Sequence, residues 1–234
     1  NNDQVQMNDT EIASAGLATF QNLRAFVQGK NYVFRYYFAA NSDFYCESSS
    51  FSVVASAPNH LAMVQQPKRS VAAETMVPYP SVQMQDEFGN KIISSSGFFV
   101  NACVDMAGQC SDAAFLTGTS RLPVTEELLT FSDIALHGTP DSSYKILFYV
   151  TGTGIQNVTA VSNSFELMIG VPLIRIETEP KYAKYGQLFK NQPVVSVSDA
   201  AGNTFSGTGG INYLQVTASL FQSSVDEAKL TDSM

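Results

Sequence analysis

The segment Pro80-Ser81-Val82-Gln83-Met84-Gln85-Asp86-Glu87-Phe88-Gly89-Asn90 has a counterpart 113 residues later in the chain. This second copy is Pro193-Val194-Val195-Ser196-Val197-Ser198-Asp199-Ala200-Ala201-Gly202-Asn203. Each copy alternates in polarity with a period of two, which predicts a β-strand packed on one face. Each copy then ends on Asp-x-x-Gly-Asn, where the glycine can take a positive φ, so both endings predict tight turns. The turn residues are Asp86, Gly89 and Asn90 in the first copy and Asp199, Gly202 and Asn203 in the second.

The same offset links other parts of the chain. Residues 61–67 match residues 174–180 at an offset of 113, and further matches fall within three residues of that value, as loop insertions would produce. These matches are 18–20 with 129–131, Tyr32 with Tyr144, Phe51 with Phe165, and 114–117 with 228–231. A period near 113 is too long for a solenoid unit and has the size of one β-sandwich domain.

Strand patterns recur along the chain, and helical apolar stripes do not. β-branched and aromatic residues fill the alternating segments, and Gly, Asn, Asp, Ser or Pro separate them. The predicted fold class is therefore all-β, with tandem immunoglobulin-like β-sandwich repeats of about 113 residues that are out of phase with the chain ends. The predicted strands cover residues 31–39, 81–85, 98–104, 143–150, 165–169, 173–176, 194–197 and 213–219.

Two prolines set the predicted domain boundaries. Pro58 and Pro172 precede equivalent strands, and a proline suits a junction because it cannot join a β-ladder. Residues 1–57 are then the C-terminal half of a repeat, 58–171 a complete repeat, and 172–234 the N-terminal half of another. A half sandwich exposes an apolar face and unpaired strand edges. We expect both ends to continue into further repeats of a parent protein; the alternative is that the halves complete each other by strand donation.

The order of these motifs resembles a known family. The motifs are L-x-(V/I)-x-x-x-P, P-x-V-x-(M/V)-x-D-x-x-G-N, a V-x-A strand, (A/L)-T-F-x-(N/D)-(L/I) and Y-x-(F/I)-x-(Y/F), and together they cover nearly the whole chain. This order is similar to that of filamin-type and invasin-type immunoglobulin-like repeats in very large eukaryotic surface proteins, including mastigoneme proteins and polycystin-like ectodomains. The resemblance implies an extracellular scaffold or fibre without catalysis in the repeats.

Composition excludes several classes of function. Of the 234 residues, 44% are hydrophobic and only 15% are charged, and the 16 Phe and 10 Tyr require burial, so the chain is folded and not disordered. The net charge of -8 gives no basic face for nucleic acid. No apolar run approaches the ~20 residues that a membrane span needs.

The cysteines and two sequons indicate the compartment. The loop between Cys103 and Cys110 contains a glycine and can close a local disulfide between antiparallel strands. Cys46 is left over, either free and buried or bonded to a partner outside this chain. Asn8-Asp9-Thr10 and Asn157-Val158-Thr159 are N-glycosylation sequons, so Asn8 and Asn157 are candidate glycan sites. Together these features predict an extracellular or cell-surface location.

The candidate site residues are more typical of structural roles than of metal binding or catalysis. Asp141-Ser142-Ser143-Tyr144 resembles a tyrosine corner, in which the phenol bonds the backbone just upstream, and Tyr32 occupies the matching place. Asp86 with Glu87 could supply ligands to Ca²⁺, but a calcium site needs 6 to 8 oxygens and the tight turn is the favoured interpretation.

Enzyme chemistry has little basis in this sequence. His60 and His137 are the only histidines and neither lies in a nucleophile motif, while Cys103 and Cys110 lack the spacing of a metal-binding pair. We therefore predict no enzyme, no metal and no cofactor.

The predicted function is a structural segment of an extracellular surface or filament protein of the mastigoneme type. It would act as a spacer, a scaffold and an assembly module whose partners are neighbouring repeats and other copies. One alternative is an adhesion or glycan-binding module, with Phe44 and Tyr45 beside Cys46 as candidate contacts. Another is a set of accessory domains of a secreted enzyme, with the chemistry located elsewhere.

Overall fold

The computed structural model describes residues 9–93, 97–155, 157–205 and 214–219. These residues form nineteen β-strands and no α-helix, so the predicted all-β fold class is confirmed. The chain divides into two compact units, one of Asn1–Val171 with Asp199–Asn203 and the other of Pro172–Ser198 with Thr204–Met234.

The first four strands precede the first junction proline. The chain changes from one antiparallel pair to the other at Val33-Phe34, where the N–H of Phe34 donates to Oγ of Ser48 (2.9 Å) in place of a strand partner. The single strand predicted over 31–39 is therefore two strands, one in each pair. The strands are β1 Gly29–Tyr32, β2 Arg35–Phe38, β3 Asn41–Glu47 and β4 Phe51–Val53, with β1 pairing β4 and β2 pairing β3.

Thirteen strands form the complete sandwich of the first unit. One sheet has the order β11-β8-β15-β16, with β9 pairing β8, and the facing sheet has the order β12-β7-β5. Smaller sheets of order β14-β17-β6 and β10-β13 close the sides. The strands are β5 His60–Gln65, β6 Ser70–Val71, β7 Ser81–Gln85, β8 Phe99–Met106, β9 Gln109–Cys110, β10 Phe115–Thr117, β11 Arg121–Pro123, β12 Leu129–Thr130, β13 Ala135–His137, β14 Ser143–Tyr144, β15 Ile146–Thr151, β16 Thr159–Val161 and β17 Phe165–Met168.

The core of this sandwich lies between its two main sheets. The rings of Phe131 and Phe148 pack with centroids 5.2 Å apart, and Val82, Met84 and Val100 are fully buried around them. Each buried side chain of this size contributes about 1.5–3 kcal/mol by leaving water. The strand predicted over 143–150 is split between β14 and β15, because the chain changes sheets there to close the sandwich.

The described residues of the second unit form an antiparallel hairpin, β18 Leu173–Thr178 with β19 Val194–Ser198. The loop between the strands is closed by a bridge between Lys181 and Asn191. Within the loop, the N–H of Gln187 donates to the carbonyl of Lys184 (2.9 Å) and forms a turn. The unit thus has two strands of a sheet without a facing layer among its described residues.

The strand pairs of the sequence copies correspond in register. β18 pairs with β19 as β5 pairs with β7, with every Cα pair 113 residues further on, and the irregularity between Met63 and Gln65 recurs between Ile176 and Thr178. β15 pairs with β16 as β2 pairs with β3, with offsets of 112 and 114 for the two strands. Equivalent segments of sequence therefore adopt equivalent structure.

The last predicted strand, over 213–219, differs from the structure. Tyr213 lies outside the described residues, and residues 214–219 form no β-ladder with any part of the chain that the structure describes. A strand needs a partner for its backbone N–H and C=O groups, and the alternating sequence alone does not supply one.

Candidate functional site

The site that the sequence repeats share is the corner after β7, which is built around the side chain of Asp86. This carboxylate is fully buried and accepts four hydrogen bonds. Oδ1 accepts from the N–H groups of Phe88 (2.9 Å) and Asn90 (2.8 Å), and Oδ2 accepts from the N–H of Ser56 (2.9 Å) and from Nδ2 of Asn90 (2.9 Å). Gly89 takes a φ of 82°, which lets the turn close. The carboxylate thus stabilises its own turn and also binds the backbone of Ser56, which precedes Pro58.

Asn90 extends the corner to a second segment that precedes Pro58. Its Oδ1 accepts from the N–H of Gln28 (2.9 Å), and its Nδ2 donates to the carbonyl of Phe26 (2.8 Å). The rings of Phe26 and Phe88 pack beside these bonds with centroids 4.9 Å apart. The corner therefore connects two segments of residues 9–57 to the complete sandwich.

The corner around Asp199 repeats this arrangement. Its Oδ1 accepts from the N–H of Asn203 (2.8 Å), and its Oδ2 accepts from Nδ2 of Asn203 (2.9 Å) and from the N–H of Gly170 (3.0 Å). Gly202 takes a φ of 86°. A Cβ added to Gly170 would lie 3.2 Å from Cβ of Asp199, so the two segments of the chain approach closely at this point. Gly170 stands where Ser56 stands at the other corner.

Both corner carboxylates are ionised at neutral pH. Burial raises the pKa of each group, but the hydrogen bonds, led by those from Asn90 to Asp86 and from Asn203 to Asp199, hold the pKa below its ordinary value. A buried negative charge is tolerated here because every donor is an N–H group aimed at it. The oxygens of Asp86 are occupied by these donors, which fits the turn better than the alternative of a calcium ligand.

The upstream half of each corner was missed by the sequence reasoning. Ser56 and Gly170 act through backbone N–H groups, which every residue except proline has, so no residue type marks them. The available signal was position, since each lies two residues before a junction proline, Pro58 or Pro172.

The two tyrosines predicted as corners differ in their bonds. The hydroxyl of Tyr144 accepts from the N–H of Thr139 (2.7 Å) and donates to its carbonyl (3.0 Å), and its ring covers Gly138 so closely that a Cβ there would lie 2.6 Å from the hydroxyl. Tyr32 covers Gly29 in the same way, but its hydroxyl has no hydrogen bond to the described residues. Only Tyr144 shows the full arrangement.

The three cysteines fall into two groups. Cys103 and Cys110 form a disulfide with their Cα atoms 5.5 Å apart, across the β8–β9 hairpin. Cys46 lies on β3 opposite Tyr36, and its thiol is free and exposed. The two alternatives for Cys46 were a free buried thiol and a bond to an outside partner, and its exposure excludes burial.

One candidate glycan site is accessible. Asn157 is exposed, takes a φ of 60° and lies in the loop between β15 and β16. The Thr159 of its sequon is exposed too, while Val158 between them is buried. Asn8 lies outside the described residues.

The histidines have structural partners. Nε2 of His60 is 2.9 Å from Oε1 of Gln85, and the ring of His137 stacks on Phe115 with centroids 4.8 Å apart. Among residues 9–93, 97–155, 157–205 and 214–219, no cluster of three or more His, Cys, Asp or Glu side chains could hold a metal ion. No helix in those ranges is long and apolar enough to span a membrane.

Similarity to known proteins is limited to solved structures. No protein-family model matches the sequence, and no curated protein matches it. One solved structure similar to it is that of surface layer protein SbsC, domains 4-9, with 17% identity and a TM-score of 0.32. The match covers 70% of this chain and 23% of that one. The fold defines the class of protein as all-β, with sheets consistent with β-sandwich repeats.

Proposed function

We propose that this chain is a structural segment of an extracellular surface or filament protein, in which immunoglobulin-like repeats serve as spacers and as a scaffold for assembly. The observation that carries this proposal is the bond from the N–H of Ser56 to the buried carboxylate of Asp86. It joins the end of one sequence repeat to the first corner of the next. Mastigoneme-like filaments are one class of protein whose repeats the motif order resembles.

The corner around Asp86 joins the two sides of the junction through a defined hydrogen bond. A chain that only needed to connect two repeats could use a solvated linker, which would leave them free to rotate. Here one buried charge holds the upstream backbone, and hydrogen bonds to charged groups contribute about 1.5–3 kcal/mol each. Breaking the junction would leave the Asp86 carboxylate buried with fewer donors, which is costly. The junction therefore resists bending and keeps the repeats at a fixed spacing.

Replacing Asp86 tests this role. In Asp86→Ala, the amides of Ser56 and Gln28 should lose protection from hydrogen exchange, and ¹⁵N relaxation should show residues 29–53 reorienting independently of the complete sandwich. Asp133→Ala is the matched control, because Asp133 is also a carboxylate that accepts two bonds, from the N–H (2.9 Å) and Oγ1 (2.6 Å) of Thr119, but lies away from the junction. Unchanged relaxation of residues 29–53 in Asp86→Ala would contradict the proposal.

The extracellular part of the proposal has its own support. A disulfide joins Cys103 to Cys110, and disulfides persist in oxidising compartments. The Asn157 sequon is exposed on a loop, as a glycan requires. Both features suit a secreted protein with a polar surface of few charges.

A second candidate function is adhesion through an aromatic surface. Phe44 and Tyr45 are 66% and 54% exposed, and the guanidinium of Arg35 lies 4.3 Å from the centre of the Tyr45 ring. Exposed rings of this kind stack on sugar faces. A glycan array would test the idea, with binding that is lost in the double variant Phe44→Ala, Tyr45→Ala.

A further inference from the structure

The sequon at Asn157 runs from a loop into a strand of the complete sandwich. Thr159 is the first residue of β16, where it lies opposite Tyr149 of β15. Just before it, the carbonyl of Val158 accepts from the N–H of Val150 (2.9 Å). The last two residues of the sequon are therefore held against β15.

The middle residue of the sequon is anchored in the core. The side chain of Val158 is only 5% exposed and belongs to the buried cluster that also contains Phe148 and Val150. Asn157 and Thr159 on either side of it are exposed, so the sequon alternates between solvent and core. Asn157 has a φ of 60°, in the left-handed region that residues other than glycine seldom adopt. The folded chain thus fixes all three residues of the sequon.

Transfer of a glycan to asparagine is a substitution at a sugar carbon. Nδ2 of the asparagine forms a bond to C1 of the first sugar of a lipid-linked oligosaccharide pyrophosphate. The bond from C1 to the pyrophosphate oxygen breaks, the lipid pyrophosphate leaves with the electron pair, and the nitrogen gives up one proton to a base. The transferase recognises the asparagine together with the hydroxyl residue two positions later. Sites for small ligands enclose about 70–90% of the ligand surface, so a sequon must be largely free of other contacts when it binds.

The folded sandwich withholds this sequon from such a site. β16 has β15 on one side in the sheet order and the core beneath Val158, which leaves the outer face of the segment accessible. Entry into a transferase would require β16 to separate from β15 and Val158 to leave the core, which the burial of an apolar side chain opposes. A glycan already attached to the exposed side chain of Asn157 does not obstruct the pairing of β16. Modification and folding are therefore compatible in one order.

We infer that Asn157 receives its glycan only before β16 pairs with β15, so that closure of the sandwich ends the period in which this site can be modified. The inference rests on the extracellular part of the proposed function, since a chain meets the transferase in the secretory pathway. It adds the state of the chain that the transferase recognises, which is the sandwich with β16 unpaired. Glycan occupancy at Asn157 then reports how long the sandwich stayed open.

The other sequon supplies an internal control. Asn8 lies outside the described residues, but Asp9 and Thr10 of its sequon are exposed and lie in no strand. Modification at Asn8 should therefore not depend on the pairing of β16. The ratio of the modification rate at Asn157 to the rate at Asn8 reports on β16 within a single chain.

Glycan transfer to the purified chain tests the order. The chain is made in bacteria that lack this pathway and is then given purified oligosaccharyltransferase with its lipid-linked oligosaccharide, and mass spectrometry measures both sites. The ratio should be at least about tenfold lower in the folded wild type than in Phe148→Asp, because a carboxylate in the core unfolds the sandwich and leaves both sequons unchanged. Circular dichroism verifies which chains are folded.

Two substitutions in the sequon strand separate its anchoring from its sequence. Val158→Ser removes the core anchor and keeps a sequon, so it should raise the ratio toward that of Phe148→Asp. Val161→Ser is the matched control, because Val161 is 42% exposed and its replacement leaves Val158 in the core. The ratio for Val161→Ser should stay as low as that of the wild type.

Two results would overturn the inference. One is an equal ratio in the folded wild type and in Phe148→Asp, and the other is a lack of modification at Asn157 in Phe148→Asp. The scaffold proposal fails separately, because Asp86→Ala tests the hydrogen bond to Ser56 at the junction, and glycan transfer to Asn157 does not measure that bond.

Discussion

The N–H of Ser56 lies 2.9 Å from Oδ2 of Asp86, although the two residues are 30 positions apart and belong to different sequence repeats. The N–H of Gly170 lies 3.0 Å from Oδ2 of Asp199 across 29 positions. A buried carboxylate in one repeat thus fixes the backbone that leaves the previous one. This relationship explains why the Asp-x-x-Gly-Asn segment recurs where the chain passes between repeats.

Acid should open the junction corners. The pKa of Asp86 lies below its ordinary value of about 3.9, so the folded chain binds fewer protons than the unfolded chain in acid. The contribution of Asp86 to the free energy of unfolding is fully present when the pH is above its ordinary pKa, and it is lost as the pH falls through the pKa of the folded state. Urea midpoints of the wild type should therefore fall between about pH 5 and pH 2 more steeply than those of Asp86→Asn. Parallel curves for the two proteins would contradict the assignment.

Removing the Asp86 carboxylate should destabilise the first unit. Four N–H donors would lose their acceptor inside the protein, and a buried donor that is left unsatisfied costs about 1–3 kcal/mol. The free energy of unfolding of Asp86→Ala, measured by chemical denaturation, should fall by at least about this amount. Asp133→Ala, which removes an exposed carboxylate, should lose much less, and equal losses would show that burial at the corner has no special effect.

The tyrosine corner should depend on both its hydroxyl and its glycine. Tyr144→Phe removes the bonds to the N–H and the carbonyl of Thr139 and should cost about 1–2 kcal/mol. Gly138→Ala keeps the hydroxyl but places a Cβ 2.6 Å from it, so the ring must move. Thermal unfolding should show lower midpoints for both variants. Tyr32→Phe is the control, since the Tyr32 hydroxyl has no bond to the described residues, and it should be nearly neutral.

The disulfide should stabilise the β8–β9 hairpin through the unfolded state. Cys103 and Cys110 are separated by 7 positions, and a loop of this length corresponds to about 2–3 kcal/mol in the chain-entropy account. The double variant Cys103→Ser, Cys110→Ser should lose about this stability, and reductant should then have no further effect. Cys46→Ser should retain the response to reductant, and a loss of that response would assign it to Cys46.

Expression through a eukaryotic secretory pathway tests the compartment. The exposed Asn157 should carry an N-linked glycan, detected by a mass shift that glycosidase removes. Thr159→Ala destroys the sequon at an exposed position and should abolish the shift at Asn157. A secreted chain that remains unmodified at Asn157 would remove this support for the extracellular proposal.

Much of the fold was accessible from the sequence because period-two alternation reports which face of a strand is packed. The alternation predicted β7 at its observed bounds, and the turn glycines Gly89 and Gly202 have the positive φ that the motif requires. Alternation does not report which sheet a strand joins, so the breaks at Val33-Phe34 and at Lys145 were not predicted. Both breaks depend on contacts with distant residues, such as Ser48 bonding Phe34.

The candidate site was accessible only in part. The acidic residue of each corner stood out by its recurrence, but its function depends on backbone donors that lie 29 and 30 positions upstream. For residues 214–219 the sequence pattern predicts a strand, but these residues form no β-ladder with the residues that the structure describes. A sequence pattern identifies a residue or a segment that can form a contact, and the three-dimensional structure shows which partner it contacts.

The position of Asp199 has a practical consequence for anyone who excises the complete sandwich. A cut after Val171, where the proline-marked boundary falls, would discard the carboxylate that receives the N–H of Gly170. The compact unit itself retains Asp199–Asn203. A recombinant fragment should therefore run past residue 203, so that the backbone of Gly170 keeps its acceptor.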